Sequence, residues 1–364
     1  VKKMMGIFVS SVVYAQESGD WSGAEKMLSY VKKYQAQNGT NLMPSESAIK
    51  YEILFNKAKI FKRLFPIYTI SGFLLLIFIF LRMMKPALRL GGAFKLVYIV
   101  NIVAFIAHTA GLALRGYVSG HAPWSNSYES LIYIAWALSL SGIFFSRKSA
   151  ISLALTSIMA GITLMVAHLS DIDPQITNLQ PVLKSHWLTI HVSVITASYG
   201  FLGLCMLLGI FTLVMFLFDK KNPEIARNIA EATHINEMSM ILGLCLLTVG
   251  NFLGGVWANE SWGRYWGWDP KETWALITIF IYAVVVHFRF MPKLNNQFAF
   301  AVASMFAYFS VIMTYFGVNF YLSGMHSYAS GERIPVPGWA YAMVASMVAL
   351  AIGAYFRSGK SARL

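Results

Sequence analysis

Nine stretches of the chain, at about 64–82, 96–114, 128–146, 149–168, 188–217, 238–256, 273–290, 297–318 and 339–356, are almost continuously apolar. Each meets or approaches the roughly 20 residues a helix needs to cross a hydrocarbon core of about 30 Å. None shows the period-two alternation of a half-buried strand. The pattern therefore predicts an all-α polytopic membrane protein with about nine transmembrane helices, preceded by a small extracytoplasmic helical segment.

The polar intervals set the orientation. Arg82, Lys85, Arg89 and Lys95 follow the first stretch, Arg147 and Lys148 the third, Lys220, Lys221 and Arg227 the fifth, Arg289 and Lys293 the seventh, and Arg357, Lys360 and Arg363 the ninth. The other side receives only Arg115, Lys184, Arg264, Lys271 and Arg333. Fourteen against five basic residues makes the first side cytoplasmic and places residues 1–63 outside. Composition agrees: of 364 residues 57% are hydrophobic and 12% charged, which excludes an ordinary soluble globule. The net charge of +13 reports topology and is not the footprint of a nucleic-acid surface, because the basic residues fall in short clusters between apolar runs. Cys205 and Cys245 both sit in apolar runs, leaving no disulfide framework, CxxC pair or cysteine-based zinc site.

The opening VKKMMGIFVSSVVYAQ has the basic start, short apolar core and small-residue end of a cleaved signal peptide, and reads equally as an internal stretch of a longer protein. Ser22 and Glu25 have capping-box spacing ahead of a helix that Gly39 should end, and a second helix is expected from about Ser47 into the first span. The 219–237 interval, with alternating charges and His234, reads as a solvated cytoplasmic helix.

Candidate chemistry gathers on the outer side. Five of the ten tryptophans lie within 257–274, in WANESWGRYWGWDPKETW, more than an aromatic belt requires. Glycines among indoles let backbone approach a flat ligand, so a large planar aromatic guest is expected. His191 and His326 flank the same side, and neutral imidazoles are common axial ligands of haem iron. His287 is an ionisable group near the cytoplasmic end of a span, a functional candidate by its cost; His108, also within a span, reads more simply as a histidine satisfied by a neighbouring helix. The two differ in depth by roughly 10 Å or more, too far to share one iron. In GHAPWSNSYES at 120–130, Asn126 or Ser127 should cap a helix carrying Glu129 in its first turn. Arg264, Lys271 and Arg333 are the basic groups near the tryptophan loop and His326, suited to pairing two propionates.

WGRYWGWDPKETW followed by IYAVVVHFR resembles the WWD signature of the CcsA (ResC) family of cytochrome c biogenesis proteins, the haem-handling membrane component of System II. SHWLTIHVSVITASYG at 185–200, GVNFYLSGMHSY at 317–328 and SGHAPWSNSYESLIYIAW at 119–136 resemble it in the same order, so the likeness covers roughly 96–356. LMPSESAIKYEILFNKAKIFKRLFPIY at 42–68 looks like the tail of the CcsB (ResB) partner in fused CcsBA proteins. The resemblance implies three regions: 1–63, an extracytoplasmic segment like the CcsB tail; 64–95, a transmembrane helix and cytoplasmic linker; and 96–364, a haem-handling membrane domain with its WWD loop at 257–274.

The resemblance further implies haem b as bound substrate, with His191 and His326 as axial ligands at an outer site and His287 at an inner one. The family's second transmembrane histidine belongs to the CcsB part and has no counterpart here. Trp262, Trp266, Trp268, Asp269 and Arg264 complete the expected haem-binding set. The implied activity is holocytochrome c synthase (haem lyase): haem is presented at the outer face of the bacterial inner membrane, and the CxxCH thiols of an apocytochrome c add to its vinyl groups. A CcsB/ResB-like component is the expected partner, and no nucleic acid is. No catalytic residue beyond haem positioning is implied. Open alternatives are a haem exporter or delivery protein without synthase activity, a dihaem electron-transfer subunit, and a scaffold whose aromatics only anchor the bilayer.

Overall fold

The computed structural model describes residues 2–39, 44–85, 87–168, 174–176, 184–218, 222–322, 324 and 336–358. Among them there is no strand, and the all-α expectation holds. The chain divides into two units, residues 1–57 and 58–364.

In the first unit α1 (Lys2–Ser18) and α2 (Ser22–Asn38) pack together and bury Ala15, Ala24 and Val31. Gly39 caps the end of α2 as expected, its N–H donating to the Gln35 carbonyl. The start differs from expectation. Ser22 is already helical, and its N–H donates to the Asp20 carboxylate at 3.0 Å. That bond lowers the Asp20 pKa below its ordinary value. The third helix, α3 (Glu46–Ala58), does not run unbroken into the first span, because Lys59 turns left-handed at φ 44°.

All nine expected spans appear as helices long and apolar enough to cross a bilayer. They are α4 (Ile60–Met84), α5 (Gly91–Ser119), α6 (Ser127–Phe145), α7 (Ala150–Ala167), α8 (His186–Phe216), α9 (Pro223–Trp262), α10 (Pro270–Val286), α11 (Gln297–Ile312) and α13 (Gly338–Ser358). A 3₁₀ turn, His287–Phe290, extends α10; a π turn, Met313–Gly317, joins α11 to the short α12 (Val318–Tyr321). The protein is a multi-pass membrane protein. At its centre α8 packs against α6, α9 and α11, while α4 lies along α7 and α5. Burial reflects this order, with 78% of the apolar window of α8 inside the fold against 11% for α13.

The 40 residues of α9 span about 60 Å, twice the hydrocarbon thickness, so the helix projects well beyond it. The described part of the segment expected to be solvated, from Pro223 on, forms the first turns of this same helix. One of its faces, Ile225, Ile229, Ala232 and Ile235, is buried in the core cluster that also holds Phe145, Met215 and Phe216. Periodic apolar residues between the charges put one side of the helix in the core.

Polar groups inside the spans are answered locally, because no water is there to satisfy them. Ser71 and Ser157 both donate to Asn101 Oδ1, at 3.2 and 2.7 Å, and Asn101 Nδ2 donates to the Val97 carbonyl. His108, fully buried, has Nε2 3.0 Å from the Ile132 carbonyl and Nδ1 3.5 Å from the Tyr68 hydroxyl. Both nitrogens face protein partners, so this is a histidine satisfied by neighbouring helices.

The central α8–α9 contact depends on glycine. A Cβ at Gly243 would lie 2.6 Å from Leu202 Cδ2, and one at Gly250 would lie 2.5 Å from Ile195 Cγ1. Gly243→Val should overpack this seam at a cost of about 1–3 kcal/mol. Thermal unfolding of the purified protein in detergent should show a lower midpoint than wild type, with Gly243→Ala intermediate.

Candidate functional site

The tryptophan loop is a short, strongly capped link between two spans. α9 ends at Trp262, where Gly263 adopts φ 70° and returns its N–H to the Asn259 carbonyl. Asp269 then starts α10 as N-cap, its Oδ1 accepting from the Lys271 N–H at 3.0 Å. Glu272 Oε2 reciprocates by accepting from the Gly267 and Asp269 N–H groups at 2.8 and 3.2 Å, closing a capping box, and Pro270 occupies the first helical turn. Arg264 lies 3.6 Å from Glu272 and places its guanidinium over the Trp262 ring. With both ends fixed, the indoles take defined places: Trp257 is 4% exposed and packs edge-to-face with Trp262 at 4.8 Å, whereas Trp268 is 70% exposed.

His191 lies in the second turn of α8, against α9. Its Nδ1 is 2.7 Å from the Gly250 carbonyl, an oxygen that can only accept, so Nδ1 carries the proton and the lone pair lies on Nε2. Gly254, one turn along α9, leaves the space the imidazole fills; a Cβ there would overlap the ring. Trp257 continues this face of α9, its ring 14° from parallel to the imidazole. Gly250, Gly254 and Trp257 thus fix both the orientation and the tautomer of His191, as the outer partners of a metal-bound histidine do.

This imidazole lines a cavity of about 760 Å³, within the range of pockets that hold small molecules and cofactors. Trp262 and Trp266 line it from the tryptophan loop, Trp124 and Asn126 from the α5–α6 connection, and Asn251 and Tyr199 from the spans. Thr314, Tyr315 and Asn319 come from the π turn and α12. Lys271 also faces the cavity, donating to Asn319 Oδ1 at 2.7 Å.

The α5–α6 wall is held by a buried ion pair. Arg115 and Glu129, 1% and 0% exposed, meet at 2.9 Å. The guanidinium also donates to the Pro174 and Gln175 carbonyls, and the second carboxylate oxygen accepts from the Ser125 N–H and hydroxyl. Asn126 caps α6 as expected, accepting from the Glu129 N–H at 2.8 Å.

Residues 124–326 match the family described as Cytochrome C assembly protein. The chain belongs to that family. Relatives of this cytochrome c assembly protein include CcsA of Guillardia theta, 35% identical over 66% of this chain and 87% of the relative. CcsA of Prochlorococcus marinus (strain MIT 9312) is 34% identical over 71% of this chain and 94% of the relative. Protein NrfI of Wolinella succinogenes is 49% identical over 85% of this chain, but the match spans only 34% of NrfI.

Of the expected site residues of this assembly protein, His191, Trp262 and Trp266 share the cavity wall. Trp268 is on the exposed side of the loop, perpendicular to Trp266, while Asp269 and Arg264 stand in the loop's capping and ion-pair network. His287 lies at the far end of α10, exposed, its Nδ1 2.7 Å from the Ala283 carbonyl. His326 and Arg333 fall outside the described residues. Reading the sequence missed Asn251, Tyr199, Thr314, Tyr315 and Asn319. Asn251 and Asn319 were visible as polar residues within apolar spans, where such groups are costly.

Arg115→Ala leaves the Glu129 carboxylate buried without its partner, at an expected cost of about 3–5 kcal/mol. Thermal unfolding in detergent should show a large drop, and Arg115→Met with Glu129→Leu should recover much of it.

Proposed function

We propose that this protein binds haem b as a substrate in the outer cavity and presents it for thioether attachment to the CxxCH cysteines of an apocytochrome c. It acts as a holocytochrome c synthase together with a CcsB/ResB-like component, on the extracytoplasmic face of a bacterial inner membrane. The observation that carries this reading is His191, held by Gly250 and Gly254 in the tautomer that ligates iron, in an aromatic-walled cavity of suitable size.

In this reading His191 and His326 are the axial ligands of the outer haem, and Trp262 and Trp266 cover its ring. Trp268, Asp269 and Arg264 shape and close the loop around it. Lys271, on the cavity wall, pairs a propionate. Holding iron from both sides leaves the vinyl groups to meet the incoming thiols, so catalysis is chiefly positioning. His287 serves a second, inner haem, and its exposure on α10 fits a second ligand supplied by another polypeptide segment. The chain spans about a third of NrfI and carries a stretch resembling the CcsB tail, which supports a place within a larger CcsBA-type assembly.

The test is an absorption spectrum, oxidised and reduced, of the protein purified with a CcsB-like partner. Wild type should show bis-imidazole haem. His191→Ala and His326→Ala should each lose the outer-site signal, and Gly254→Val, which displaces the imidazole without removing it, should weaken it similarly. Absence of haem from wild type would overturn the proposal. Bound haem with no covalent transfer to a co-expressed apocytochrome would reduce it to haem delivery.

A further inference from the structure

Two polar side chains deep in the cavity wall receive no answer from the protein. Thr196 on α8 and Asn251 on α9 both line the cavity, and neither side chain hydrogen-bonds to another described residue. Thr196 is only 6% exposed, so what remains open of it faces the cavity. Other polar groups of the same wall differ: Thr314 meets Thr278, and Asn319 accepts from Lys271. Helix packing brings the two together. A Cβ at Gly250 would lie 2.5 Å from Ile195 Cγ1, and Asn251 and Thr196 are the next residues on the two helices. Thr196 follows His191 by five residues, about 7.5 Å farther along α8. Asn251 precedes Trp262 by eleven residues, about 16 Å along α9. The pair therefore lies beyond the His191 imidazole, on the side away from the tryptophan loop.

Polar side chains left unpaired within a span are costly, and a guest that fills the cavity has to supply their partners. Haem b offers little choice. Its rim carries methyl and vinyl groups, which form no such bonds, and two propionates, which do. A carboxamide both donates and accepts, as does a hydroxyl, so Asn251 and Thr196 suit a carboxyl group whether it is ionised or protonated. The rival arrangement turns both carboxyls toward Lys184 and Lys271, the lysines of the described wall, and leaves Asn251 and Thr196 unanswered against methyl and vinyl groups.

Building on the haem-binding reading above, we infer that Asn251 and Thr196 hold one propionate of the haem ligated by His191, while Lys271 pairs the other. The step from His191 to Thr196 is comparable with the reach from the centre of a haem to its carboxyl groups. Both are positioning residues, because they fix the rotation of the macrocycle about the iron–imidazole axis. Propionates turned toward the interior of the spans leave the vinyl groups, on the other side of the ring, toward the tryptophan-loop end. Cysteine thiols of a second polypeptide can meet them there.

The experiment titrates the full chain, purified with its CcsB-like partner and stripped of haem, with three iron porphyrins. Haem b carries propionates and vinyls, mesohaem keeps the propionates but has ethyl groups for vinyls, and iron octaethylporphyrin has neither. Asn251→Leu should bind haem b and mesohaem about tenfold more weakly than wild type, and Thr196→Val should weaken both in the same direction. Binding of iron octaethylporphyrin should be unchanged in both variants, which also shows that the site has folded. In the resonance Raman spectrum of bound haem b, the propionate bending band should shift in Asn251→Leu while the bis-imidazole bands stay in place. Wild-type affinities and an unmoved propionate band in both variants would make Asn251 and Thr196 a hydrated wall only and overturn the inference, leaving the haem reading intact. Equal weakening of all three porphyrins would assign them to the general structure of the site and overturn it as well. Failure of wild type to bind any of the three would sink the haem reading itself, and this inference with it.

Discussion

α9 meets α8 along a line of glycines, and the cavity that His191 lines is the last step of that line. Gly243 receives Leu202 and Gly250 receives Ile195, which is ordinary close helix packing in a membrane. At Gly254 the guest is the His191 imidazole. The Gly250 carbonyl serves both steps, belonging to the packed seam below and accepting from His191 Nδ1 above. Orientation of the imidazole is thereby a consequence of helix packing, and it shares the rigidity of the most buried span. A histidine on a loop would lose more freedom on binding a ligand; here much of that entropy is already lost on folding.

The polar residues within the spans separate into two kinds once their partners are known. Asn101, His108, and the Arg115–Glu129 pair are buried and matched to protein groups, so they brace helices against one another. Lys271, Asn319 and Thr314 instead line the cavity, Lys271 bonding to Asn319 and Thr314 to Thr278. The π turn contributes to this arrangement: Thr314 meets the Thr278 hydroxyl at 3.1 Å, and the chain continues so that Asn319 reaches Lys271. An extra residue in a helical turn changes which side chains face a given direction, and π turns recur at functional sites for that reason.

The spans were legible in the sequence because bilayer thickness fixes their length and the cost of unpaired backbone groups fixes their type. Caps were legible where side chain and position agree, as at Asn126 and Gly39. The Ser22 reading failed because Asp20, two residues earlier, offers a charged acceptor that reaches the same N–H. The continuity of α9 was hidden by the charges of its N-terminal turns, which occupy one face while Ile225, Ile229 and Ile235 occupy another. His191 and the tryptophans were legible by residue type. The residues converging on them from α9, α12 and the π turn were not, since convergence is set by helix packing and no local pattern encodes it.

The two histidine regions are joined by one short rod. α10 carries Lys271 and Glu272 at the cavity, and the 3₁₀ turn that extends it begins with His287, seventeen residues after Pro270 and about 25 Å away along the axis. Its N-terminal end is anchored by the Asp269–Glu272 capping box and its middle by Thr278 against Thr314. In the 3₁₀ turn past its C-terminal end, the exposed Arg289 is ion-paired with Glu237 on α9. These three contacts brace the helix along its length, between the His287 end and the capping box that fixes the tryptophan loop. Flexing α10 alone would require breaking backbone hydrogen bonds where water cannot replace them, whereas tilting the whole helix would strain only its side-chain anchors. Any mechanical coupling between the His287 end and the cavity end of α10 therefore runs most cheaply through displacement of the helix as a rigid body.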